Sequence, residues 1–283
     1  MTVLVTGAAG NVGRIVVERL LAAGAPVRVL TRDPRRVFPY GVEVIVGDLA
    51  EPATLEHAFD GVERLYLFPV PATARAVAGL ARRARVRRVV VLSSGAVTGG
   101  VDTDFHLPVE RAVEESGLAW THVRPGEFAL NKLWLWGPSI RGERVVRDPF
   151  PEAAWFPTHE RDIADVAVAA LLEEGHAGAA YDVNGPEMIG NREQVRTIAA
   201  AIGREIRHER VSREEAHERY LRQGGFAAAN AAFLLGFADY SGSPAKEPAE
   251  VPPAPDLPTC QPVTGRRGRT FAQWARDHAD DFR

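Results

Sequence analysis

The strongest constraint on this chain lies in its opening, MTVLVTGAAGNVG. An apolar run from Thr2 to Thr6 reads as a buried strand and stops at Gly7. Gly10 and Gly13 follow and lead into NVGRIVVERLLAAG, whose Ile15, Val16, Leu20 and Leu21 recur at helical spacing until Gly24 stops them. A strand, a glycine-rich turn and a helix in that order form a dinucleotide-binding fingerprint. Gly7 permits a tight turn, because it has no Cβ to clash. Gly10 lets backbone approach a pyrophosphate, and Gly13 lets the first helix pack on the sheet. The helix N-terminus then turns its N–H groups and dipole toward the phosphates. A glycine-rich turn without a ligand shares this local pattern, so the rest of the chain has to decide.

Strand and helix periods alternate through the first half. Further strands are expected at Pro26–Thr31, Val42–Gly47, Glu63–Phe68, Arg87–Leu92 and Ala119–Arg124, with helices at Pro52–Phe59, Thr73–Ala84 and Phe105–Glu115. Near-continuous Val/Leu/Ile strands separated by amphipathic helices predict an α/β fold, a doubly wound parallel sheet covered on both faces. After Arg124 the rhythm changes. EFALNKLWLWGPSIRGE reads as aromatic-rich and irregular, DIADVAVAALLEEG as a helix and AAYDVNG as a short strand. Helices follow at Arg192–Ile202, Arg213–Arg222 and Phe226–Phe237. Residues 239–262 hold seven prolines and read as extended, and RTFAQWARDHADDF reads as a helix docking through Phe271, Trp274 and Ala275. The expected division is a nucleotide-binding domain over 1–126, with segments around 150–185 returning to it, and a small C-terminal α/β lobe over 127–283.

Composition removes several classes. With 283 residues and a net charge of −3, the chain has no basic surplus for nucleic acid. ARRARVRR, Ala81 to Arg88, reads as solvated surface. Cys260 is the only cysteine, so no internal disulfide or thiolate zinc site forms, and no metal is expected. No apolar run reaches roughly 18 residues, and no leader pattern precedes the first strand. The expectation is a soluble, cytoplasmic protein acting on a small molecule, without nucleic-acid or membrane partners; a homo-oligomer is compatible with the sequence. SSGAV lacks the first glycine of a G-x-S-x-G elbow, His217-Glu218 has no second histidine at metalloprotease spacing, and no Walker lysine exists.

The strand ends qualify the cofactor. An arginine at the end of the second strand suits a 2′-phosphate and an acid there suits a free ribose; Arg32 favours NADPH, and Asp33 keeps NADH open. At the third strand end, Asp48 is placed to accept from the adenine amino group or to cap the following helix. TGAAGNVG, TRDP, VGDL, VVVLSS, SGLAWTHVRPGEF, HERDIADVAVAALL and the closing GRRGRTFAQWARDHADDF occur in an order that resembles the NmrA-like, atypical branch of the extended short-chain dehydrogenases. The resemblance spans essentially the whole chain. It implies a Rossmann domain with a small lobe, and cofactor contacts at Gly7, Gly10, Asn11, Val12, Gly13, Arg32, Asp48, Leu49, Pro69, Ser93, Pro125 and Gly126.

The usual chemistry of that superfamily is missing. Classical members use a Tyr-x-x-x-Lys pair, whose lysine lowers the tyrosine pKa, together with a strand-end serine. Four residues beyond the five tyrosines stand Val44, Val70, Gly185, Gly224 and Pro244, so the pair is absent. Gly95 falls near the serine position, behind Ser93 and Ser94. Helix register puts His106 at the lysine position, where it serves either in proton transfer or only as a helix-start residue. His159 is a second histidine near the expected pocket, in a segment that reads as a helix cap. Phe128, Trp134 and Trp136 read either as the wall of an apolar substrate pocket or as core. Two functions follow. One is an NAD(P)H-dependent oxidoreductase passing hydride to a conjugated or quinone-like acceptor; the other is a non-catalytic redox sensor that reads the cofactor.

Overall fold

The computed structural model describes residues 1–239, 242–243 and 257–283, and the chain divides into two compact units. Met1–Pro125, Glu160–Val183 and Cys260–Arg266 form the first; Gly126–His159, Asn184–Thr259 and Arg267–Arg283 form the second.

The first unit runs β1 (Thr2–Val5), α1 (Gly13–Ala22), β2 (Val27–Thr31), β3 (Glu43–Val46), β4 (Val62–Leu67), α2 (Ala74–Arg83), β5 (Arg88–Leu92), α3 (Gly95–Thr98), α4 (His106–Glu115), β6 (Ala119–Pro125), α5 (Glu160–Leu172) and β7 (Ala179–Val183). Its seven strands lie in the order β3-β2-β1-β4-β5-β6-β7, and every neighbouring pair is parallel. The chain therefore reverses direction across the sheet between β1 and β4, the switch point at which such sheets bind ligands beyond their strand ends. Leu4, Leu65, Val89 and Val91 pack with Val77 and Ala78 of α2 and Val109 and Val113 of α4. α5 packs beside α1 and against β4, β5 and β6.

Two expectations change here. The stretch Pro52–Phe59 forms only a 3-10 turn, Pro52–Leu55. Thr54 explains it: its hydroxyl donates to the Glu51 carbonyl at 2.7 Å and accepts the Asp48 N–H at 2.9 Å, competing with helical bonding. Within ARRARVRR, Arg88 is buried rather than solvated. It donates to the Ala170 carbonyl at 3.0 Å and pairs with Glu174 at 2.8 Å, fastening β5 to the end of α5.

The second unit holds short helices at Asn131–Leu135 and Gly137–Glu143, within the segment that reads as irregular. Pro138 stands in the first turn of the later one, where its missing N–H costs no bond. Longer helices span Asn191–Ile202, Arg213–Gln223 and Gly225–Leu234. Val145–Asp148 pairs in parallel with Arg207–Arg210, and Ala154–Trp155 pairs antiparallel with Ile189–Gly190. The closing helix, Phe271–Asp277, buries Phe271, Trp274 and Ala275 in a core with Trp136, Ile140, Ile198 and Tyr220. The expected extended proline-rich stretch lies largely outside the described residues. Among those described, no helix is long and apolar enough to cross a membrane.

Candidate functional site

The glycine loop is fixed by Thr6 at the end of β1. Its N–H and hydroxyl both donate to the Tyr66 carbonyl, at 3.0 and 2.9 Å, and the hydroxyl accepts the Phe68 N–H at 2.7 Å. Gly7 then turns with φ +62°, a region other residues rarely adopt. A Cβ on Gly13 would stand 2.1 Å from the Gly7 carbonyl oxygen and 2.8 Å from its carbon. The third glycine thus serves a contact of the helix with the loop's own backbone, closer than the sheet packing the sequence suggests. A Cβ on Gly10 would meet the same oxygen at 3.1 Å, and the Gly10 N–H donates to it at 2.9 Å. α1 begins behind Val12 with no side-chain cap and no acidic residue in its first turn. The Arg14 and Ile15 N–H groups already donate to the Gly10 and Val12 carbonyls, at 3.1 and 3.0 Å, so it is the N–H groups ahead of them, at Asn11, Val12 and Gly13, that suit the phosphates of a dinucleotide.

Along the same rim, Arg32 is exposed and has no partner among the described residues. Asp33 is turned to local work: its carboxylate accepts the Arg35 N–H at 2.9 Å. The exposed arginine at this strand end can meet a phosphate, while one oxygen of Asp33 is spent locally. Asp48 is half-buried, and one of its oxygens accepts the Ala50 N–H at 2.9 Å. That bond closes a local turn, and the following 3-10 helix is capped at Glu51 without a side-chain bond, so Asp48 does not cap it, and its second oxygen stays uncommitted among the described residues. Leu49 and Pro69 are buried. Phe68, which sequence reasoning passed over, is 42% exposed and lies against Gly7, where a Cβ would touch it at 3.0 Å.

The ends of β5 and β6 carry a second assembly. The Ser93 hydroxyl donates to Glu110 Oε1 at 2.5 Å, and Arg124 grips both oxygens of Glu110 at 2.9 and 2.6 Å. This hydroxyl is committed to Glu110, which limits what it offers a cofactor. Ser94 instead caps α3, accepting the Ala96 N–H. Burial pushes the Glu110 carboxyl up, but the bonds from Arg124 and Ser93 outweigh it and hold the group below its ordinary value. Glu114 meets His122 Nε2 at 3.0 Å, and burial lowers the His122 pKa. Glu110, Glu114 and His122 gather their donor atoms within 4.8 Å, and Arg124 already supplies the positive charge on Glu110.

His106 opens α4, and its Nδ1 lies 2.5 Å from Asp102 Oδ2. The other Asp102 oxygen accepts the N–H groups of Phe105 and His106, each at 3.0 Å. Asp102 is 1% exposed. Burial raises its pKa, yet the His106 ring and the two backbone donors bring it below the usual carboxylate range. An ionised carboxylate on Nδ1 favours the tautomer that carries the ring proton there. Sequence reasoning singled out His106 and missed Asp102, although a carboxylate four residues ahead of a helix-start histidine is a legible signal.

In the second unit, Gly126 leaves room for Asn184, whose Oδ1 would lie 2.2 Å from a Cβ. Phe128 and Trp134 are half-buried, Phe128 bridging to Thr158 and Trp134 lying against Phe226 with ring centroids 4.9 Å apart. Trp136 is 4% exposed and belongs to the core, with the Lys132 ammonium 4.5 Å from its ring centre and 2.7 Å from Glu127. His159 is buried beside Asp277, at 3.3 Å, and near the His278 ring.

Residues 7–174 match the NAD(P)H-binding family. The chain belongs to that family. It is 39% identical to the (4-alkanoyl-5-oxo-2,5-dihydrofuran-3-yl)methyl phosphate reductase of Streptomyces griseus, over 99% of each chain. It is 34% identical to the NAD(P)H azoreductase of Xenophilus azovorans, again over 99% of each. The triphenylmethane reductase of Citrobacter sp., crystallised with NADP(H), superposes with a TM-score of 0.76 at 21% identity, covering 99% of this chain and 100% of that one. That last likeness shows the fold.

Proposed function

We propose that this chain is an NADPH-preferring reductase of small, flat, conjugated acceptors, with the Asp102–His106 pair as its proton-transfer group. The observation that carries the reading is the 2.5 Å contact between His106 Nδ1 and the buried Asp102 carboxylate. A histidine that only started a helix has no need of a buried carboxylate on its ring.

The residues present fit the cofactor. The uncapped start of α1 and the loop from Gly7 to Gly13, with Asn11 and Val12, hold the pyrophosphate; Arg32 takes the 2′-phosphate, and the second oxygen of Asp48 accepts from the adenine amino group. Bound in this way, the dihydronicotinamide supplies a hydride. The chain's own task is to orient, to exclude water and to move one proton. Asp102 fixes the ring tautomer, so His106 delivers and recovers its proton at Nε2. A conjugated acceptor needs no more, because the charge left by hydride addition spreads over its π-system until that proton arrives. Within the second unit, Phe128 and Trp134 keep half-buried aromatic faces, whereas Trp136 is spent on the core.

The relatives support the acceptor class. The Streptomyces protein is named for a furanone whose ring alkene is conjugated with carbonyl groups, and the Xenophilus protein for an azo bond. Reduced nicotinamide cofactors are held inside cells, which supports a cytoplasmic place of work. The test is NADPH oxidation, followed by the cofactor's absorbance, with 1,4-benzoquinone, an enone and an azo dye. Turnover on at least one is expected. Tight NADPH binding without turnover on any would replace this reading with that of a redox sensor.

A further inference from the structure

Arg124 does more than neutralise Glu110. Its Nε and Nη2 hold Glu110, in the second turn of α4, while its Nη1 donates to the Thr98 hydroxyl at 3.2 Å, at the end of α3. Thr98 in turn donates to Asp182 of β7 at 2.7 Å. Between Thr98 and Glu110 runs the segment that contains both Asp102 and His106, and it includes Gly100 at φ +69°. One guanidinium on β6 therefore ties down both flanks of that segment. His106 and Glu110 are also four residues apart and share a face of α4, so the register that brings Glu110 to Ser93 sets where His106 stands.

We propose that Arg124 is the positioning residue of the Asp102–His106 pair, acting through Glu110 on one side and Thr98 on the other. The proposal rests on the reading of His106 as the proton-transfer group. A lysine keeps the charge but cannot supply three directed donors in a fixed plane, so Arg124→Lys loosens the clamp without leaving Glu110 unneutralised. Thr98→Val cuts the outer arm, together with the Thr98–Asp182 bond, and leaves the Glu110 arm in place; it serves if Arg124→Lys does not fold.

The first readout needs no turnover. It is the low-field proton NMR resonance of His106 Nδ1–H, identified by its absence in His106→Asn. In folded Arg124→Lys this resonance is expected to broaden or vanish, and in Thr98→Val to weaken, with the NADPH Kd within about threefold of the parent. The second readout is kcat. A displacement on the order of 1 Å at a reacting group costs about 100-fold, so Arg124→Lys should lose about 10- to 100-fold. On a His106→Asn background the same change should cost less than about twofold, because its target is gone. A purely structural role gives the same fold-loss on both backgrounds, and that outcome overturns the proposal. So does an intact resonance in folded Arg124→Lys. If His106→Asn keeps the parent kcat, the proton-transfer reading fails instead, and the resonance still decides whether Arg124 positions the pair.

Discussion

Gly13→Ala tests whether the loop is built for a dinucleotide. The added Cβ would sit 2.1 Å from the Gly7 carbonyl oxygen, 2.8 Å from its carbon and 3.1 Å from Ala8 Cα. All three are backbone atoms, so no side chain can swing aside. The start of α1 must retreat by roughly 1 Å to restore ordinary contact. Stability alone is a poor reporter of this, because overpacking costs about 1–3 kcal/mol and replacing a helical glycine by alanine returns up to about 1 kcal/mol. Binding is the better one. A backbone N–H bond to a charged group is worth about 1.5–3 kcal/mol, so losing one weakens the NADPH Kd by about 10- to 150-fold. Two controls frame the result. At Gly10 the same oxygen lies 3.1 Å away and needs to give only slightly, so Gly10→Ala should lose less affinity than Gly13→Ala. Gly142 is helical with nothing within 4 Å, so Gly142→Ala should raise the melting temperature and leave Kd unchanged. Titration by cofactor fluorescence, with thermal melts alongside, gives both quantities. A folded Gly13→Ala variant binding NADPH within about threefold of the parent would refute the argument.

Arg32→Ala should weaken NADPH by at least about tenfold, the scale of one charged hydrogen bond, and NADH little; equal losses in the two titrations would remove Arg32 from cofactor choice. Asp102→Asn can keep the helix cap through its carbonyl while turning an amide NH2 toward His106 Nδ1, which favours the wrong tautomer. Its kcat should fall about 100-fold or more with Kd nearly unchanged, while the melting temperature drops modestly because the ionised carboxylate is lost; an unaltered kcat would speak against the pair. Acid should destabilise the fold in two stages. His122, Asp102 and Glu110 all have lowered pKa values in the folded state, so the unfolded chain binds more protons and stability falls as pH falls. The loss should begin below about pH 6.5 with His122 and steepen below about pH 4.5 with the carboxyls; melts showing no loss of stability down to pH 4 would contradict this. Trp136→Ala removes a core ring and should cost about 3–5 kcal/mol, whereas Trp134→Ala removes a half-buried ring and should cost less, as paired melts will show.

What the sequence made legible was what local pattern controls. Val3, Leu4 and Val5 announce a strand covered on both faces, and the glycines announce the loop, because strand burial and φ > 0 act on neighbouring residues. The Arg207–Arg210 strand was not legible: Arg-His-Glu-Arg has no apolar alternation, and it becomes a strand only because Val145–Asp148 lies alongside. The short helices on either side of Trp136 were hidden for a related reason, since an aromatic-rich stretch drawn into a core has no single polar face. Among the candidate site residues, His106 emerged from register. Glu110 and Arg124 did not, because nothing local says that residues 14 apart will share two hydrogen bonds.

The spacing of the missing Tyr-x-x-x-Lys pair persists in another chemistry. Asp102 stands four residues ahead of His106, yet α4 begins only at His106, so the two are not stacked on successive helical turns. The carboxylate instead lies across the helix start, with one oxygen on the N–H groups of Phe105 and His106 and the other on the His106 ring. One buried group thus caps the helix and orients the imidazole. The two roles cannot be adjusted separately, since moving the carboxylate to release the ring also uncaps α4. A tyrosine–lysine pair tunes a phenol by placing a charge near it; here the side chains touch directly, and what the contact controls is which ring nitrogen carries the proton. That suits an acceptor whose electrons are already delocalised, for which a correctly aimed proton matters more than a strongly polarised one.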